Sequence, residues 1–163
     1  MSEETRKSSD KSTKSLPYTK QKLVIVLLIV LAISVLFFAV TASSFLSDKR
    51  LFLNDHKFDV TTADTAKERE NGLSGWERLG EGQGMLFVYT DASQYCMWMK
   101  DMKFAIDIIW LDSNKKVIST KENATPDTYP EPFCPSGDAR YVLEVSSGTV
   151  SRLGIKSGDQ TNF

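Results

Sequence analysis

The sequence predicts a mainly β domain with some α+β character: a compact antiparallel β-sandwich or barrel carrying one or two short helices, preceded by one transmembrane helix. Three observations predict it. Six or more short apolar runs follow Leu51, separated by Gly, Pro, Asn and Asp, and the helix-start signals among them are few. The chain has 163 residues, room for one domain of ordinary size. Residues 23–40 form an uncharged run of 18 residues whose only polar side chain is Ser34.

That run, extended through Thr41 and Ala42, matches the thickness of one hydrocarbon core, about 30 Å at about 1.5 Å per residue. Lys14, Lys20 and Lys22 precede it, which by the positive-inside rule puts the N-terminus in the cytoplasm and the C-terminal domain outside. The expected organisation is a disordered basic cytoplasmic tail over 1–22, a signal anchor over 23–42, a linker over 43–48 and an extracytoplasmic domain over 49–163. Secretion after cleavage near Ala42 is the alternative, but signal-peptide apolar regions usually run to about 7–15 residues.

The elements of the domain follow in order. Leu51, Leu53, Phe58 and Val60 alternate with polar residues around Asn54-Asp55-His56, a β-hairpin pattern. Thr65 and Glu68 have capping-box spacing, so a short helix runs to about Asn71 with Gly72 past its end. Gly75, Gly80, Gly82 and Gly84 punctuate a loop before the strand-length run Met85 to Tyr89. Further strands are expected over Tyr95 to Met99, Phe104 to Leu111, Lys116 to Lys121 and Tyr141 to Val145. Pro126, Pro130, Pro132 and Pro135 mark a long irregular loop, and Gly148 to Leu153 a helical turn before a last short strand. Ile106, Ile108 and Trp110 share one strand face and Asp107, Ile109 and Leu111 the other, while Val142 and Glu144 lie opposite Tyr141, Leu143 and Val145.

Charge narrows the function. Residues 1–22 carry six basic and three acidic side chains, whereas residues 43–163 carry 14 basic and 18 acidic. An acidic domain has no electrostatic footprint for a polyphosphate backbone, so no nucleic-acid partner is expected.

Five motifs occur together: Glu68-Arg69-x-x-Gly72-Leu73, Gly84-Met85-Leu86-Phe87-Val88, Met97-Trp98-Met99-Lys100, Ile106-Asp107-Ile108-Ile109 and Tyr141-Val142-Leu143-Glu144-Val145. In order and spacing the chain resembles the DUF192 or UPF0127 family of uncharacterised membrane-associated or secreted prokaryotic proteins, over about residues 49 to 162. The resemblance implies a compact β domain and carries no activity with it. The chain departs from the family pattern at Asp101, where Asn is usual, and at Trp76, where Arg is usual.

His56 is the single histidine, so a Ser-His-Asp or Cys-His arrangement and the common zinc sites are close to excluded, and no cofactor or metal is expected. No phosphate-binding glycine motif is present. Asp112-Ser113-Asn114 begins like a calcium loop but lacks the later ligands and reads as a turn. Cys96 and Cys134, the only cysteines, are expected to form a structural disulfide outside the cytoplasm; two free thiols or a redox pair are the other readings.

Carboxylates inside apolar strands provide the main functional candidates. A buried carboxylate must be met by a cation or by hydrogen bonds, or its pKa rises. Asp107 and Glu144 fit that description, with Arg69, Arg78 or Lys100 as cationic partners. The candidate binding residues are therefore Asp107, Glu144, Lys100, Arg69 and Trp76. Trp98 and Trp110 are expected in the core, whereas Trp76 lies in the glycine-rich loop, equally placed for core or surface. The expected function is a membrane-anchored binding or structural module of the cell envelope with a protein or glycan partner. The alternative is an envelope hydrolase acting on glycan through Asp107 and Glu144.

Overall fold

The computed structural model describes residues 22, 25–31 and 48–163. Residues 25–31 are helical. The expected basic tail apart from Lys22, most of the expected anchor and most of the linker lie outside the described residues. Among the described residues no helix is long and apolar enough to cross a membrane. This finding overturns the single-pass placement with a cytoplasmic N-terminus.

In the domain, β1 (Asp48–Leu53) and β2 (His56–Ala63) pair through a two-residue turn, with Leu53 opposite His56. Asn54 and Asp55 have φ of 49° and 62°, the left-handed pair that a tight hairpin turn requires and that Asn and Asp tolerate. Helix α1 (Ala66–Asn71) has the expected capping box: Glu68 N donates to Thr65 Oγ1, and Thr65 N donates to Glu68 Oε2. The bonds that the Glu68 carboxylate accepts from Thr65 N and Asp64 N hold it below the usual carboxylate range.

The chain then returns as β3 (Gln83–Ser93), which runs parallel to β2. This is the one parallel pair in an otherwise antiparallel sheet, in keeping with the mainly β expectation. The 19 residues from Asp64 to Gly82 form a crossover rather than a hairpin loop, which is long enough for a parallel return. Strands β4 (Ile106–Leu111), β5 (Val117–Ala124), β6 (Ala139–Ser146) and β7 (Thr161–Asn162) complete one seven-stranded sheet of order β5-β4-β6-β3-β2-β1-β7. The short helix α2 (Thr149–Leu153) follows β6.

The sheet curls until its two edges meet at one end. Val117 N donates to Asp159 O at 2.9 Å, Gly158 N to Val117 O at 2.8 Å and Thr161 N to Lys115 O at 3.0 Å. The edges are thus satisfied rather than left as templates for aggregation. One sheet face, inside the curl, gathers Leu51, Leu53, Phe58, Val60, Ile109, Leu111, Leu143 and Val145. The outer face gathers Met85, Phe87, Ile106, Ile108, Trp110 and Val142 beneath Leu73, Met97 and Met99 from the connecting segments. Strand β4 is therefore buried on both sides, which explains its unbroken apolar run apart from Asp107.

Two further expectations change. The predicted strand over Tyr95–Met99 reduces to one antiparallel bridge between Met97 and Phe133. Trp110 is core, its Nε1 donating to Tyr95 O at 2.8 Å, but Trp98 is 51% exposed. Met97 and Met99 take the buried side of this extended segment, so the intervening side chain must face outward. Cys96 and Cys134 are disulfide-bonded, and together with the Met97–Phe133 bridge they tie the proline-rich loop to the outer face.

Candidate functional site

The crossover from β2 to β3 lays α1 and the following Gly72–Ser74 turn over the outer sheet face, and the segment Met97–Met102 lies beside it. Between these layers is a cavity of about 30 Å³ whose lining includes Glu144, Phe87, Arg69, Gly72, Trp98 and Lys100. A neighbouring cleft of about 310 Å³ shares Asn71, Gly72 and Ser74 with it and is bounded by Trp76, Met85 and Thr61. Gly72 fits here for two reasons: its φ is +50°, and a Cβ would meet the Phe87 ring at 3.2 Å.

Glu144 lies on β6 with Met85 of β3 on one side and Ile108 of β4 on the other. It is 4% exposed, and burial among these apolar neighbours pushes its carboxyl up to about 8. Among the described residues no group donates a hydrogen bond to it and no cation pairs with it. A neutral carboxyl is the form such a pocket favours at neutral pH, and that form presents an O–H donor.

Arg69 is held from α1 toward β3. Its Nη1 donates to the carbonyls of Asp64 and of Val88, the latter at 3.0 Å, and its guanidinium lies 5.1 Å from the centroid of the Tyr89 ring. Burial pushes the Tyr89 phenol up to about 12, against the opposing charge of Arg69, so the phenol stays protonated. Lys100 is exposed, with Nζ 5.8 Å from the Trp98 ring centroid, and its carbonyl accepts from Ser74 Oγ at 2.9 Å. That bond joins the two segments forming the cavity wall. Trp98 meets Tyr129 of the proline-rich loop edge to face at 6.0 Å.

The structure brings Glu144, Arg69 and Lys100 to one cavity and puts Trp76, half-buried, at its neighbour. Asp107 is elsewhere. It points to the inside of the curl, where Oδ1 accepts from Asn123 N at 2.9 Å and Oδ2 from Val150 N at 2.8 Å, the second bond anchoring α2. None of Arg69, Arg78 or Lys100 pairs with it; backbone donors satisfy it instead. Both cysteines of the disulfide are exposed. Among the described residues no group of three or more His, Cys, Asp or Glu side chains is arranged to hold a metal ion. Trp98, Asn71 and Ser74 are the site residues that sequence reasoning missed; for Trp98 the alternation Met-Trp-Met was the available signal.

Residues 50–163 match the model of a protein family, DUF192, described as "Uncharacterized ACR, COG1430". The chain belongs to the DUF192 family. A UPF0127 protein of Thermococcus sibiricus is 27% identical over 104 residues, which are 64% of this chain and 65% of that relative, a little under two thirds of its length. A crystal structure of a Novosphingobium aromaticivorans protein of unknown function superposes with a TM-score of 0.69 at 30% identity, covering 74% of this chain and 88% of that one. A second, of a Sinorhizobium meliloti protein described as a candidate transcription regulator, also gives 0.69, at 29% identity over 72% of this chain and 94% of that one.

Four of the five motifs that marked the resemblance to DUF192 contribute to the cavity wall: Arg69, Gly72 and Leu73 from the first, Phe87 from the second, Met97, Trp98 and Lys100 from the third and Glu144 from the last. The fourth supplies Asp107 to the opposite face. The departure from the DUF192 pattern at Asp101 has a backbone reason: its φ is 56°, a left-handed conformation that Asn and Asp both tolerate.

Proposed function

We propose that this DUF192 domain is a binding module whose small ligand is received over the outer sheet face, with Glu144 at the floor of the site. The observation that carries this reading is the Glu144 carboxyl itself, buried, without a hydrogen-bond partner and lining a cavity. Burying such a group costs free energy that no hydrogen-bond donor among the described residues offsets, and its oxygens open on the cavity, since the fully enclosed side-chain atom without a partner among the described residues is Thr62 Oγ1. A bound polar group supplies the missing hydrogen bond. The adjoining cleft of about 310 Å³, bounded by Trp76 and Met85, offers room for the rest of a small molecule.

The hydrolase alternative loses support, because Asp107 and Glu144 face opposite sides of the sheet and offer no common position for a sugar bond. For a nucleic-acid role, which the description of the Sinorhizobium meliloti relative would suggest, the 18 acidic against 14 basic residues of 43–163 are the wrong balance.

Thermal denaturation of the full chain against glycans, nucleotides, small carboxylates and divalent ions tests the proposal, since a ligand that binds only the native state raises Tm. The expected result is a class of compound that raises Tm and perturbs the backbone amide NMR signals of Gly72, Ser74 and Lys100. A panel without any such compound, or one whose hits perturb only distant amides, overturns it.

A further inference from the structure

We propose that the group received by Glu144 is an oxyanion, a carboxylate or phosphoryl head that accepts the Glu144 O–H and lies near Arg69 and Lys100. This inference rests on the binding-module reading and specifies its ligand.

The charges at the cavity carry the argument. Three ion pairs occur among the described residues, Lys57–Asp59, Lys103–Glu77 and Arg152–Glu81, and neither Arg69 nor Lys100 belongs to any of them. Arg69 is fixed by two backbone carbonyls and the Tyr89 ring, none of which neutralises its charge. Lys100 has a ring face for company and no carboxylate. The remaining titratable groups around Glu144 are Glu70, exposed on α1, and the protonated Tyr89 phenol. Arg69, Lys100 and Glu144 thus line one cavity, the carboxyl raised to about 8 by burial alone with neither cation near enough to lower it, and an acceptor-rich anion fits between the acid and the two cations. A cationic ligand would require an ionised Glu144 and would add a third positive charge beside the other two.

Size points the same way. A cavity of about 30 Å³ exceeds the roughly 10–15 Å³ that one water needs, so it holds a head group and not a whole metabolite. The body of the ligand would extend past Gly72 and Ser74, which line both spaces, into the adjoining cleft beside Trp76.

The test uses the full chain and three probes, acetate, sulfate as a pH-independent stand-in for a phosphoryl group, and methylammonium, each titrated at pH 6 and pH 9 while the amides of Gly72, Ser74 and Lys100 are followed by NMR. At least one oxyanion should move those amides at pH 6, and its Kd should weaken about tenfold by pH 9 as the Glu144 proton is lost. Whether acetate or sulfate is the stronger decides between the two sources. In Glu144→Gln, whose amide still donates, oxyanion binding should persist and its pH dependence should largely vanish, while Lys100→Gln should weaken it. Methylammonium binding that strengthens at pH 9 overturns the oxyanion assignment. So does a neutral ligand from the wider panel that moves these amides when neither oxyanion does, although the binding-module reading then stands. If no compound moves them, both readings fall.

Discussion

Asp107 and Glu144 lie on neighbouring strands one register step apart, Ile108 being the partner of Glu144, yet their carboxyls face opposite sides of the sheet. Asp107 accepts two backbone N–H bonds inside the curl, and Glu144 accepts none on the outside. The same functional group therefore serves a structural purpose in one place and stands open in the other. Converting each to its amide should have opposite consequences.

For Asp107→Asn, one of the two N–H donors, Asn123 N or Val150 N, meets an amide N–H₂ instead of an acceptor. The expected loss is about 1–3 kcal/mol in urea denaturation at neutral pH, with amide exchange fastest at α2. An unchanged midpoint would show that the clamp contributes nothing.

Glu144 should make stability fall with pH. Its folded carboxyl is raised from 4.5 to about 8, so between those values the native state keeps a proton that the unfolded state releases. The contribution is fully present below pH 4.5, declines as pH rises and levels off above about 8. The difference between wild type and Glu144→Gln should change by on the order of 5 kcal/mol between pH 4 and pH 9, with the variant the more stable at the alkaline end. Parallel pH profiles for the two proteins would contradict this assignment.

Reducing the Cys96–Cys134 disulfide, which closes a loop over a sequence separation of 38, should cost about 4 kcal/mol in the chain-entropy account. The Cys96→Ser, Cys134→Ser double variant should show the same loss without reductant. Comparison of Tm for both against the oxidised protein is decisive, and equal values would mean that the proline-rich loop is held by the Met97–Phe133 bridge and its packing alone.

Gly84 and Gly137 should respond oppositely to alanine. A Cβ at Gly84 would lie 2.9 Å from the Glu144 carbonyl oxygen and 3.1 Å from Leu143 Cδ1, so Gly84→Ala should destabilise by about 1–3 kcal/mol. Nothing lies within 4 Å of a Cβ at Gly137, where alanine should be neutral or stabilising by up to about 1 kcal/mol through the unfolded state. Paired denaturation curves check both; a tolerant Gly84 would mean that β3 and β6 separate easily beside Glu144.

Much of the domain was legible in the sequence because its signals are local. The Asn54-Asp55 turn, the Thr65–Glu68 capping box, the alternation along β4 and β6 and the closing Gly148–Leu153 turn each depend on residues a few positions apart. The five motifs placed the chain in DUF192, and the pairing of Cys96 with Cys134 followed from their being the only two cysteines. Alternation also separated Asp107 from its neighbours Ile106 and Ile108, and Glu144 from Leu143 and Val145. What it left open was whether those two carboxyls shared a face, since that depends on the register between strands far apart in sequence.

The tertiary structure decided the rest. The parallel pairing of β2 with β3 sets α1 over the outer face, and no residue pattern announces it, because crossover and hairpin connections differ in where the chain returns rather than in local propensity. The exposure of Trp98, the backbone donors that satisfy Asp107, and the convergence of Arg69, Lys100 and Glu144 on one cavity all depend on contacts between distant segments. Periodicity states which side chains share a side; only packing determines what each side meets, and for Glu144 it meets a cavity with no partner provided.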